Sequence, residues 1–379
     1  MELTPPELER YARQMILPEI GQQGQGKLKK AKVLLVGAGG LGSPVAIYLA
    51  AAGIGAIGLI DPDRVEISNL HRQIIHTTAD IGKNKVVSAR EKLTQLNPNI
   101  QVITYSERLQ AQNALDIIQN YDLVVDGTDN FPSRYLINDA CVFLEKPFIF
   151  GGILQFEGQC SIFGLKDGPC YRCIFEEPPA AGEVPSCAEA GVVGVLPGII
   201  GLLQAHEVIK FVCGFGELLK GRLLIFDGFT TSFREVKIRK NPNCLICGPN
   251  RKIHKLVEYS LACAAPSPSP TAESSEITVA ELRDILKNHS QDICLIDVRE
   301  QLEWDIAHIE GAILKPLSTL EKNYRDIPKN KKILVHCKMG GRSRRAIEFL
   351  QTQGFTNLCN VKGGIDAWAQ QIDPAMPKY

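Results

Sequence analysis

Residues 32–53 read KVLLVGAGGLGSPVAIYLAAAG. Lys32–Val36 is a short apolar, β-branched run of the kind that forms a buried strand. Gly37-Ala38-Gly39-Gly40-Leu41-Gly42 follows it at once and matches G-x-G-x-x-G. An apolar helical pattern then runs from Pro44 to Ala52, with Pro44 suited to the first turn and Gly53 to the C-cap. Strand, glycine loop and helix in this order allow backbone N–H groups to approach a phosphate beside a helix N-terminus. Gly37, Gly39, Gly40 and Gly42 are the candidate nucleotide-contacting residues, although a tight packing turn would use the same glycines.

Working outward, Ile57–Ile60 predicts a second strand ending at Asp61, and Asp122–Val125 a further strand ending at Asp126. This alternation predicts an α/β fold with a parallel, doubly wound, Rossmann-like sheet, whose ligands sit at the carboxyl ends of the strands. Asp61 lies 19 residues past Gly42, where a carboxylate binds ribose hydroxyls. A later tract, 264–275, reads AAPSPSPTAESS and has no large apolar residue. It is a linker by composition. Beyond it, Cys294–Asp297 and Lys332–His336 predict strands and Ser343–Gln351 a helix, giving a second, small α/β domain. The expected division is 1–255, a linker over 256–275, and 276–379.

The chain has 379 residues, with 42 Lys+Arg balancing 42 Asp+Glu. Zero net charge argues against a strongly basic nucleic-acid binder or a polybasic membrane anchor. The first thirty residues carry many charges and no apolar core of a secretion signal. The apolar stretch Ala190–Leu203 is broken by Gly191, Gly194, Pro197, Gly198 and Gly201 and reads as buried loop and helix. A cytoplasmic protein with no nucleic-acid or membrane partner is expected. In a reducing compartment the 12 cysteines are metal ligands, nucleophiles or core residues rather than disulfides.

The glycine loop alone suits NAD as well as ATP. Downstream stand Asp61-Pro62-Asp63-Arg64-Val65-Glu66, Ser68-Asn69-Leu70-His71-Arg72-Gln73, Lys85, and the acidic turn Asp126-Gly127-Thr128-Asp129-Asn130. Two cations and a carboxylate suit a triphosphate with Mg²⁺. Together with Tyr11-x-Arg13-Gln14 and Leu17-Pro18, these words resemble the MoeB/ThiF/ubiquitin-activating superfamily over about residues 5–250. Members adenylate the C-terminal glycine of a ubiquitin-fold protein. The resemblance implies that Gly40 and its loop approach ATP and that Asp61 binds the ribose. It implies that Asn69, Arg72 and Lys85 bind the phosphates, within a cradle spanning Ser68, Leu70, His71 and Asn130. It gives Asp129 to Mg²⁺ and has Arg13 supplied across a homodimer interface.

Cys170-Tyr171-Arg172-Cys173 and Cys244-Leu245-Ile246-Cys247 supply four thiolates, the set preferred by structural Zn²⁺ with no position left for catalysis. Two redox dithiols are the alternative. The superfamily pattern supports zinc, although it often has Pro where this chain has Leu245. Cys187 lies in a Gly- and Pro-bounded loop, outside both pairs. In relatives this loop carries a cysteine that forms a thioester or a disulfide. Cys141, Cys160, Cys213, Cys294 and Cys359 sit in apolar surroundings and read as core.

Ile333–Ser343 reads ILVHCKMGGRS: a strand, a loop and a helix start. Backbone amides and the helix dipole around Cys337 stabilise an anionic sulfur, and Lys338 and Arg342 add positive charge. Four residues separate Cys337 from Arg342, one fewer than in a tyrosine-phosphatase loop, which suits a persulfide better than a phosphate. With Asp297-Val298-Arg299-Glu300, His308–Ala312 and Gly363-Gly364-Ile365, this part resembles a single rhodanese domain over about 276–377.

The pair of resemblances is similar to MoeZ/MOCS-type fusion proteins, which serve molybdenum-cofactor, thiamine or thiolated-tRNA synthesis. It implies an adenylyltransferase and sulfurtransferase. A ubiquitin-like sulfur carrier of the MoaD/ThiS type, ending in Gly-Gly, is adenylated with ATP and then receives sulfur from a Cys337 persulfide. That persulfide is loaded by a donor such as a cysteine desulfurase. A conjugation enzyme holding a thioester on Cys187, and a scaffold using ATP only structurally, are the competing readings.

Overall fold

A computed structural model describes residues 3–179, 191–258, 275–289 and 291–377. The chain divides into two compact units, Met1–Ala264 and Ala265–Tyr379.

The first unit is built on an eight-stranded sheet in the order β3-β2-β1-β4-β5-β6-β7-β8. Its strands are β1 (Lys32–Val36), β2 (Ala56–Ile60), β3 (Gln101–Tyr105), β4 (Leu123–Asp126), β5 (Phe148–Leu154), β6 (Glu157–Phe163), β7 (Arg222–Asp227) and β8 (Ser232–Lys237). The first five are parallel and the last three extend the sheet antiparallel. The apolar run at β1 is buried on both faces, as a central parallel strand must be. Val33 and Leu35 join one core and Leu34 and Val36 the other, the alternation of a pleated strand. Each such fully buried side chain stabilises the fold by about 1.5–3 kcal/mol.

Helix Gly42–Ala52 follows β1 and ends at Gly53 in the left-handed region, φ 85°. The chain moves from β1 outward to β3, then returns to place β4 on the other side of β1. The order reverses between β1 and β4, the point at which doubly wound sheets take their ligands, at the carboxyl ends of the strands. Helix Leu196–Cys213 is longer than the apolar stretch suggests and passes the length and hydropathy test for a membrane span. It packs on β5, β6 and helix Gly42–Ala52. Gln204, buried on it, donates to the carbonyls of Asp126 and Ile149.

The second unit is a five-stranded parallel sheet in the order β11-β10-β12-β13-β9. These are β9 (Ser275–Ile277), β10 (Ile293–Asp297), β11 (Ile313–Leu314), β12 (Lys332–His336) and β13 (Leu358–Val361). The central β10 and β12 again alternate between two cores. β12 delivers Cys337 at its carboxyl end, just before helix Gly341–Thr352.

Candidate functional sites

The glycine loop meets the acidic turn directly. Gly37 has φ 98°, and a Cβ there would stand 2.6 Å from the carbonyl oxygen of Gly127. A Cβ on Gly42 would collide with the Gly37 carbonyl. These two glycines therefore have distinct reasons: one a left-handed backbone beside a second loop, the other close helix packing.

Ala38 is pinned on both sides. Its N–H donates to Asp61 Oδ2 at 2.8 Å, and its carbonyl lies 3.1 Å from His76 Nε2. Asp61 Oδ1 also accepts from the Asp63 N–H at 2.8 Å, so the carboxylate shapes the loop with both oxygens. The Ala38 carbonyl only accepts, so Nε2 carries the His76 proton and Nδ1 accepts from Ser88 Oγ at 2.9 Å. Burial pushes the His76 imidazole below its ordinary value.

The 310 turn Ile67–Asn69 groups the Ser68–Arg72 residues. Asn69 is buried, its Oδ1 accepting from the Glu66 N–H, while Arg72 Nη1 and His71 Nδ1 meet the Ser68 carbonyl at 3.1 Å. Arg72 Cγ lies 3.6 Å from where a Gly40 Cβ would stand, so this cation borders the glycine loop. Lys85 is buried at the start of helix Lys85–Leu96 and pairs with Asp63 at 3.0 Å. Leu70 is half-buried on the same turn.

Asp126 is fully buried. One oxygen accepts from Thr128 N and Oγ1, and the other from Arg134 Nε at 3.0 Å. The turn beyond is thereby fixed, and it leaves Asp129 exposed. Asn130 caps helix Phe131–Phe143 by accepting from the Ser133 N–H. Arg13 is exposed on the last turn of helix Pro5–Met15; among the described residues no hydrogen bond or ion pair ties it to the cradle.

The four cysteines of the two pairs come together, with all sulfurs within 4.8 Å of one another. Cys170 Sγ lies 3.8 Å from Cys173 and 3.5 Å from Cys244, and Cys173 Sγ lies 3.4 Å from Cys247. Metal–sulfur bonds of about 2.3 Å in a tetrahedron give edges of about 3.8 Å, so the donor set fits Zn²⁺. Arg172, between the first pair, forms a buried two-pronged bridge to Asp139 at 2.8 and 3.0 Å. Cys187 lies outside the described residues. Cys141, Cys160, Cys213, Cys294 and Cys359 are buried, and burial pushes the thiols of the first four up.

Cys337 is buried at 1% exposure, with the Gly340 N–H donating to its sulfur at 3.1 Å. Gly340 has φ 116°, which turns that amide inward. Arg342 grips Glu303 with both terminal nitrogens, at 2.5 and 2.7 Å. Burial pushes the Glu303 carboxyl up, but the bonds from Arg342 outweigh it and hold it below the ordinary range. Arg299, fully buried against Asp297, also donates to the carbonyls of Glu303 and Ala307, so it anchors the helix that presents Glu303. His336 is fully buried, and burial pushes its imidazole down.

Sequence reasoning missed His76, Arg134, Glu303, Asn360 and Glu276. Glu303 lies three residues beyond the quoted stretch Asp297–Glu300. Arg134 reaches back eight residues to Asp126, and His76, Asn360 and Glu276 act through partners further away in sequence.

Two family models match: the ThiF family over residues 11–246 and the Rhodanese-like domain over 278–371. The chain is 44% identical to the "Probable adenylyltransferase/sulfurtransferase MoeZ" of Mycobacterium tuberculosis (strain H37Rv), covering 100% of this chain and 96% of that protein. It is 42% identical to "Adenylyltransferase and sulfurtransferase MOCS3" of Aedes aegypti, covering 100% and 90%. Among solved structures it is similar to E. coli MccB with ATP, at TM-score 0.57 and 25% identity over 63% of this chain and 74% of that one. It is also similar to PaaA, at TM-score 0.55 and 27% identity over 63% and 76%.

Proposed function

Because the chain belongs to the ThiF family and carries a Rhodanese-like domain, we propose that it adenylates a ubiquitin-like sulfur carrier with ATP and then passes sulfur to it from Cys337. The observation that carries this reading is the presence, on one chain, of a glycine loop bordered by Arg72 where the strand order reverses at β1/β4 and a cysteine loop at the end of β12.

The carrier's terminal carboxylate oxygen attacks the α-phosphorus of ATP. The bond to the β-phosphate oxygen breaks and pyrophosphate leaves. Gly37, Gly39, Gly40 and Gly42 admit the phosphates, Asp61 meets the ribose, and Asn69, Arg72 and Lys85 neutralise the developing charge. Ser68, Leu70, His71 and Asn130 wall the cradle. Asp129 would hold Mg²⁺, which when bound supplies charge neutralisation on the phosphoryl oxygens. Arg13 completes the site across a homodimer interface; the exposed Ile16 and Leu17 that follow it support such a contact. Cys170, Cys173, Cys244 and Cys247 would hold a structural Zn²⁺.

The acyl-adenylate is the electrophile for the second step. The terminal sulfur of a Cys337 persulfide attacks the acyl carbon, AMP leaves, and an acyl disulfide joins carrier and Cys337. Arg342 and the Gly340 N–H stabilise the sulfur anion. A thiolate, that of Cys187 or of an external dithiol, then attacks the Cys337 sulfur. The S–S bond breaks, and the carrier leaves as a thiocarboxylate. The new disulfide is reduced by a dithiol, and a persulfide donor such as a cysteine desulfurase reloads Cys337. The division into 1–255 and 276–379 around a linker raises the concentration of Cys337 at the adenylate. A cytoplasmic role in molybdenum-cofactor synthesis follows from the same reading.

The test is intact-mass spectrometry of a Gly-Gly-ending carrier incubated with the protein, Mg-ATP and a persulfide donor. A gain of about 16 Da marks oxygen replaced by sulfur in the transfer above. It should vanish in Cys337→Ala, while carrier-dependent ATP–pyrophosphate exchange persists there and vanishes in Asp129→Ala. A carrier adduct on Cys187 without sulfur gain would favour conjugation instead.

A further inference from the structure

The Cys337 sulfur stands at the inner end of a hydrogen-bonded chain that reaches the edge strand β9. Ser343 Oγ lies 3.5 Å from Sγ. The same oxygen is 2.7 Å from Asn360 Oδ1 and 3.0 Å from the Gly340 carbonyl. Asn360 Nδ2 donates to Glu276 Oε1 at 2.9 Å, and Arg344 Nη2 donates to that oxygen at 3.1 Å. Cys337, Ser343 and Asn360 are each at most 1% exposed.

The polarity of this chain follows from donor and acceptor inventory. A carboxylate only accepts, so Glu276 turns the Asn360 amide with its nitrogen outward and its oxygen toward Ser343. A serine hydroxyl has one proton. With two carbonyl oxygens closer than the sulfur, the proton goes to an oxygen, and a lone pair faces Cys337. A neutral thiol is served by this arrangement, since S–H donates to Oγ. An anionic sulfur is not, since it needs the hydroxyl as donor.

We propose that Asn360 and Glu276 are positioning residues that hold Ser343 as an acceptor toward Cys337, so that the hydroxyl must leave Asn360 to stabilise the anionic sulfur. This rests on the reading that Cys337 works as a sulfur nucleophile. The Gly340 N–H donates to the sulfur in either state and does not compete. The titratable and charged groups near the loop are His336, which faces the Asp297–Arg299 pair, Lys338, Arg342 paired with Glu303, and Arg344 paired with Glu276. Substitutions at Ser343 and Asn360 leave all of them in place.

The consequence is a pair of opposite signs. Removing Asn360 takes away the nearer competitor for the Ser343 proton and speeds reaction of the anionic sulfur. Removing Ser343 takes away the donor itself and slows it. The test uses the full chain with iodoacetamide at about pH 6.5, well below an ordinary thiol's pKa, following the Cys337-containing peptide by mass spectrometry. Asn360→Ala should raise the alkylation rate and Ser343→Ala should lower it, each about two- to tenfold, the span of one hydrogen bond's net contribution. The double variant should match Ser343→Ala. Glu276→Gln, on the edge strand, gives an amide that both donates and accepts, so it should raise the rate in the same direction by less, and it keeps the test open if Asn360→Ala fails to fold. A slower or unchanged Glu276→Gln, or Asn360→Ala and Ser343→Ala moving together, would overturn the proposal. Alkylation needs no ATP, carrier or sulfur donor, so its outcome is independent of whether the carrier gains sulfur.

Discussion

Loss of Asp139 should cost the first unit heavily, because it leaves a buried cation without its partner. Its two oxygens meet Arg172 Nε and Nη2 at 2.8 and 3.0 Å, with the residues 1% and 2% exposed. Arg172 also lies 4.6 Å over the Tyr135 ring and donates to the Glu176 carbonyl. Asp139→Ala leaves a guanidinium in the interior without its carboxylate. Breaking a buried pair from one side costs about 3–5 kcal/mol. At about 2–4 °C per kcal/mol for a domain of this size, the first unit's melting temperature should fall by about 6–20 °C. The pair itself is a poor stabiliser against an apolar alternative, so Asp139→Leu/Arg172→Met should recover most of that loss. Circular dichroism melts of the wild type, Asp139→Ala and the double variant measure both shifts. An Asp139→Ala shift under about 2 °C, or a double variant no better than the single, would refute the argument that the cost is an unpaired buried charge.

Gly42→Ala places a Cβ on the Gly37 carbonyl; the overpacking should cost about 1–3 kcal/mol, and ATP–pyrophosphate exchange should fall with it. His76 and His336 both have imidazoles pushed down by burial, so the unfolded chain takes up protons first as pH falls through about 6.5. Both units should hold their stability above that pH and lose it below, with His76→Gln flattening the first unit's response in melts between about pH 7.5 and 5.5. Chelating Zn²⁺ under reducing conditions should lower the melting temperature of the first unit and leave that of the second unchanged, as resolved by calorimetry; an equal shift in both would be inconsistent with a cluster confined to Cys170, Cys173, Cys244 and Cys247.

The strands and the glycine loop were legible because their signals are local. Val33–Val36 carry the apolar run, and Gly42 occupies a position where a side chain would meet backbone five residues back, at Gly37; the contact of Gly37 with Gly127, by contrast, arises only on folding. The two CxxC pairs were legible for a different reason: each is half a chelate, and four thiolates need only meet once. Helix Leu196–Cys213 was underread because glycines and a proline crowd its first turns. Gly201 is tolerated inside that helix because it lies against Pro44 and the Leu41 carbonyl, a tertiary contact no propensity reports.

The polar residues that hold the sites in shape were least legible, and the reason is physical. A side chain that touches substrate is chosen for its chemistry, so its type and motif announce it. One that aims another group is chosen for a direction, and directions arise only after folding. His76 acquires a purpose from Ala38 and Ser88, 38 residues before it and 12 after. Asn360 acquires one from Ser343, 17 residues before it, and from Glu276, 84 before. Both have their proton pattern fixed by a neighbour that can only accept: a carbonyl for the imidazole, a carboxylate for the amide. In each site a group within the motif, the Ala38 carbonyl or the Ser343 hydroxyl, is therefore met by a side chain whose orientation is decided from outside the motif.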